Sequence, residues 1–185
     1  MNRFVIAFGC VLLAGPALAQ SAGEKTGVNS VLGISPTTPD FVKEVATSDM
    51  FEIQSSTLAQ DKGNAAAKSF AGQMITDHTK TSTELKQLVS SGKVLADVPT
   101  VLDSSHQSKL DKLKDASGKD FSPDYASDQV SAHKDAVSLF ERYSKSGDNA
   151  KLKDWAGKTL PALQHHLDMA QQLDTNKSTT MGTSK

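Results

Sequence analysis

The stretch NAAAKSFAGQMITDHTKTSTELKQLVSSG, residues 64–92, decides what kind of fold this chain adopts. Ala67, Ala71, Met74, Ile75, His78, Leu85, Leu88 and Val89 recur at helical steps, which puts them on one face of an amphipathic helix. Asn64 suits the cap before the first turn, and Gly92 the position just past the last. Upstream, Phe41, Val45, Ser48, Glu52, Ser56 and Ala59 mark a helix over about 40–61. Thr38-Pro39-Asp40 opens it, with Thr38 as cap, and it ends before Gly63. Downstream, Ser122-Pro123-Asp124 opens a helix over 122–146 that carries Ala126, Val130, His133, Val137 and Phe140. A last helix over about 149–174 carries Leu152, Trp155, Thr159, Leu163, His166, Ala170 and Leu173. Pro161 predicts a kink there, because it removes the bond to the Gly157 carbonyl. Alternating strand patterns are missing, so the fold class is all-α.

The connector between the second and third long helices, residues 93–121, holds a short helix with Leu102, His106, Leu110 and Leu113 on one face. Neighbouring antiparallel helices need only about 2–8 linking residues. A connector this long favours a four-helix bundle with a crossover that runs the length of the bundle over simple up-down-up-down.

The ends read differently. Arg3, the apolar run Phe4 to Leu13 and Ala17-Leu18-Ala19 before Gln20 have the form of a secretory signal peptide over residues 1–19. Residues 20–37 read as a flexible lead-in, 38–174 as the bundle domain, and 175–185 as a disordered polar tail. Cleavage after Ala19 would remove Cys10, the chain's one cysteine, and with it any thiolate metal chemistry. The expected location is therefore the periplasm or the envelope. With 20 Lys and Arg against 21 Asp and Glu, nothing points to nucleic acid. The mature chain offers no transmembrane segment, and an envelope protein is the partner class left open.

Four polar residues stand out: Glu52, His78, His133 and His166, one on the buried stripe of each long helix. The first three fall near the midpoints of their helices, and His166 lies about four residues, or 6 Å, beyond. Burying such groups is costly unless they find partners. Two readings follow. One is a site for a single transition metal ion, with zinc, copper or iron suiting three imidazoles and a carboxylate. The other is a hydrogen-bonded polar layer that sets helix register in a non-catalytic structural or interaction protein. Carboxylate-bridged di-iron bundles need Glu-x-x-His. Ile75, Val130 and Leu163 stand three residues before the histidines, which disfavours an oxidase or ferroxidase. No catalytic motif and no organic cofactor are legible. Asp77 points away from the stripe and reads first as a solvated charge or cap partner, and His165 as a surface group; with Tyr125, both are also candidate supports behind the metal ligands. His106 reads as a packed or partly exposed side chain.

Larger motifs add a resemblance. Phe41-Val42-x-x-Val45-Ala46, Glu52-Ile53-x-x-Ser56 and Phe70-Ala71-x-x-Met74-Ile75-x-Asp77-His78 occupy the first helix pair. Asp120-Phe121-x-x-x-Tyr125, Gln129-Val130-x-x-His133 and Leu160-Pro161-x-Leu163-x-x-His166-Leu167 occupy the second. Over about residues 38–174 the chain resembles an exported bacterial family labelled "predicted outer membrane protein", domain of unknown function four-one-four-two, of the ferritin-like superfamily. The resemblance implies a ferritin-like bundle, export, and family positions at Glu52, Asp77, His78, Tyr125, His133 and His166. Ser122 departs from the family, where an acid is expected. The label carries no reaction. It leaves open metal handling or sensing under envelope stress, a purely structural role, and a hydrolase or oxidase with an open metal position.

Overall fold

A computed structural model describes residues 28–181, and these are helical with no strand among them. The helices are α1 (Val28–Val31), α2 (Thr38–Lys62), α3 (Ala65–Ser90), α4 (Ser104–Asp115), α5 (Gly118–Ser146) and α6 (Ala150–Met181). The expected signal peptide and the first part of the lead-in lie outside the described residues. No helix among the described residues is long and apolar enough to cross a membrane.

Local chemistry accounts for most boundaries. Asn64 Oδ1 accepts the Ala67 N–H at 2.9 Å and opens α3, as its sequence predicts. Gly92 follows the end of α3 at φ +71°, a conformation that side chains rarely adopt. At α2 the cap is Thr37 rather than Thr38. Thr37 Oγ1 accepts the Asp40 N–H, while Thr38 turns inward to hydrogen-bond Tyr143 and Asp148. A larger correction concerns α5, which begins at Gly118 with Pro123 inside it. Ser122 is therefore no cap of its own helix, and its hydroxyl accepts the Asn64 N–H at 2.9 Å. One turn of helix, α1, lies in the expected flexible lead-in, where Arg142 also donates to the Ile34 carbonyl. At the other end α6 passes through Pro161 without a break and reaches Met181, beyond the expected limit at 174.

Two-residue and three-residue links join α2 to α3 and α5 to α6, so each pair packs as an antiparallel hairpin. α2 also packs on α5, α3 on α6, and α4 on α2. Cross-helix bonds fix the two ends. At one end Thr38 meets Tyr143, and Asn149 Nδ2 donates to the Lys93 carbonyl. At the other, Asn64 meets Ser122, and the Lys62 ammonium donates to the carbonyls of Lys114 and Ala116. The segment from Lys93 to Ala116 thus begins at one end of the helices and finishes at the other.

The core divides into two apolar clusters. One gathers Phe41, Val45, Leu85, Phe140, Tyr143, Leu152 and Trp155; the other gathers Phe51, Phe70, Met74, Leu113, Phe121, Tyr125 and Ala170. Phe41 stacks on Tyr143 with ring centroids 4.0 Å apart and meets Phe140 edge-on at 5.1 Å. Gly147 lets the chain leave α5 under Tyr143, because a Cβ there would lie 2.6 Å from the ring. On α3, α5 and α6 the histidines fall between members of the two clusters. A polar layer therefore crosses the core.

Candidate metal centre

His78 on α3, His133 on α5 and His166 on α6 come together in that layer. Each is no more than 3% exposed. Their ring centroids form a nearly equilateral triangle, with separations of 5.6, 5.5 and 5.5 Å. One ligand nitrogen from each lies within 4.8 Å of those of the other two.

Each imidazole is held through one nitrogen by an oxygen. His78 Nδ1 is 2.8 Å from Asp49 Oδ1, His133 Nδ1 is 2.9 Å from the Gln129 carbonyl, and His166 Nε2 is 2.8 Å from Asp77 Oδ2. A carbonyl or carboxylate oxygen accepts, so in the neutral ring that nitrogen carries the proton and the other carries a lone pair. The second nitrogens, His78 Nε2, His133 Nε2 and His166 Nδ1, are buried with no hydrogen-bond partner. Holding a histidine from behind in this way is how proteins fix the tautomer and direction of a metal ligand.

The electrostatics differ from ring to ring. Burial, helped by the neighbouring His78, depresses the His133 pKa to about 3, so this ring is neutral at physiological pH. Burial also lowers His166, outweighing its hydrogen bond to Asp77. At His78 burial works against protonation, but the Asp49 hydrogen bond and charge prevail and raise its pKa. Partial burial works against ionisation of Asp77, yet hydrogen bonds from Gln73 and His166 hold its carboxyl below the ordinary range.

Glu52 is buried in the same region, but its oxygens do not join the mutually close group of ligand nitrogens. Asp49, one turn earlier on α2, is what reaches the layer. The Glu52 carboxyl makes no close hydrogen bond, and the Gln129 side chain is the polar group beside it. Burial raises its pKa to about 7 against the attraction of His78. The expected four-residue set thus resolves into three converging imidazoles with a carboxyl beside them.

The remaining candidates sort by contact. Asp77 lies off the buried stripe, as expected, yet its carboxylate reaches across the α3–α6 interface to bond His166, the supporting place for which it was a candidate. Tyr125 shares a 2.7 Å hydrogen bond with Ser56, and burial and the Glu52 charge raise its pKa. His165 is exposed and does not join the close group of ligand nitrogens. The expected set omits Asp49 and Gln129. Asp49 had a signal, since 45, 49, 52, 56 and 59 make a more regular helical stripe than one drawn through Ser48. Gln129 acts on His133 through its carbonyl, which any residue there would supply.

These features define an all-helical protein with a buried cluster of three imidazoles, each anchored from behind. The chain belongs to the family described as Domain of unknown function (DUF4142), whose match covers residues 23–173. No curated protein and no solved structure matches it.

Proposed function

We propose that this protein binds one transition metal ion, zinc, copper or iron, through His78, His133 and His166. The observation that supports this most is the pairing of three anchored nitrogens with three partnerless ones. A register-setting network would join its polar groups to one another, yet the inner nitrogens of all three rings have no hydrogen-bond partner. Nitrogens within 4.8 Å of one another lie no more than about 2.8 Å from the centre of their triangle. Zinc–imidazole bonds of about 2.0–2.1 Å in that plane would need each ring to move inward by no more than roughly 0.7 Å. Nitrogen donors disfavour magnesium and calcium. Glu52 would contribute negative charge near the ion, and three protein ligands would leave a coordination position for water or a small ligand.

The same reading includes a ferritin-like four-helix bundle. Its supports are the pairing of α2, α3, α5 and α6 and a connector that starts and finishes at opposite ends of the helices. It also includes export to the periplasm or envelope, on the composition of residues 1–19. Metal analysis and calorimetric titration of tag-free protein test the central claim. About one ion per chain is expected for wild type at neutral pH, with loss of binding in His133→Ala. A wild type that takes up no zinc, copper or iron under these conditions refutes it.

A further inference from the structure

We propose that the cavity beside the triad is the port by which the metal ion arrives, with His106 as a transient ligand on the way. This rests on the metal reading above and adds a path to it.

An ion cannot reach three imidazoles that are 1–3% exposed without a passage. A cavity of about 400 Å³ borders the triad at His78. The buried Asp49 and His78 form part of its wall, and the more exposed His106, Lys109 and Asp135 form another part. Six waters at about 30 Å³ each occupy roughly 180 Å³, so the space admits an ion with its hydration shell. Glu44, Asp49 and Asp135 line it together with Lys109 and Arg142, so carboxylates are at hand for a cation.

His106 repeats the arrangement seen in the triad. Its Nδ1 lies 3.0 Å from both carboxylate oxygens of Asp103, the cap residue of α4. Asp103 also accepts the His106 backbone N–H at 2.9 Å, so the pair is fixed at the start of the helix. With Nδ1 donating, Nε2 of the neutral ring holds a lone pair. A packing role against Phe51, whose ring centroid is 5.5 Å away, does not require this anchor. The steps are ligand exchanges. His106 Nε2 replaces one water on the ion, a triad nitrogen then replaces His106, and no oxidation or covalent change occurs.

A transient ligand sets rates and leaves the end state alone, so kinetics decide. Metal-free wild type, His106→Ala and Ser48→Phe would be mixed with cobalt(II) in a stopped-flow instrument and loading followed by visible absorption. Ser48 lines the cavity from α2, so Phe there fills the passage. Both variants should load and release more slowly, on the order of tenfold. Stoichiometry and equilibrium affinity, measured by competition with a chromophoric chelator, should match wild type. Unchanged rates in His106→Ala overturn the proposal, whatever Ser48→Phe does. Weakened affinity with unchanged uptake would make His106 a resident ligand and overturns it too. A wild type that never loads defeats the metal reading itself, an outcome distinct from either.

Discussion

Replacing Glu52 with Gln in metal-free protein should change how stability depends on pH, by an amount that follows from burial. The Glu52 carboxyl has a pKa of about 7 in the folded chain against an ordinary 4.5. A group whose folded pKa is raised contributes stability that is fully present below the unfolded value and lost as the pH rises through the folded one. At about 1.36 kcal/mol per pH unit, ionising Glu52 by pH 8 costs about 3 kcal/mol relative to strongly acidic solution. Some of this is already lost at pH 5, which leaves about 2–3 kcal/mol between pH 5 and pH 8. Gln does not ionise, so the variant escapes the loss. Any pH-independent cost of burying its amide cancels when the two pH values are compared. Urea denaturation of both proteins in EDTA at pH 5 and pH 8 measures the double difference. The variant should gain on wild type by about 2–3 kcal/mol, or roughly 5–10 °C in Tm. Parallel stability curves for the two proteins would show that Glu52 is ionised at no unusual cost, and would refute the reasoning.

Asp49→Asn should weaken metal binding by about 10- to 100-fold in chelator competition, because His78 loses the carboxylate that orients it. An unchanged affinity would show that the Asp49–His78 bond does not serve the ion. Phe41→Ala removes a fully buried ring stacked on Tyr143, at an expected cost of about 3–5 kcal/mol by urea denaturation. A loss under about 1 kcal/mol would mean that the aromatic cluster repacks around the gap.

The helices were legible where side-chain pattern and local capping agree, and less so where another part of the chain decides. Asn64 and Gly92 bound α3 because each acts on its own helix. Ser122 looks like a cap by the same local rules. Its hydroxyl instead serves the start of α3, a partner 58 residues away that no short window contains. The histidines could be read because single polar residues interrupt apolar stripes at matching depth. Their supports were harder to see. Asp49 sits beside Ser48 on α2 and makes the slightly more regular stripe, but that regularity says nothing of its partner, which packing against His78 supplies. Asp77 lies off the stripe, and its role depends on where α6 sits.

The placing of the three imidazoles has a mechanical consequence. His78 belongs to the first helical hairpin, His133 and His166 to the second, and the long connector separates the two. An ion held by all three would cross-link the hairpins and close a loop of about 55 residues between His78 and His133. Chain entropy assigns a covalent link across such a loop on the order of 4 kcal/mol. In a chain whose only cysteine is Cys10, a bound ion would thus act as a reversible substitute for a disulfide. Withdrawing the ion with a chelator would remove that constraint and leave the hairpins joined through their apolar clusters alone.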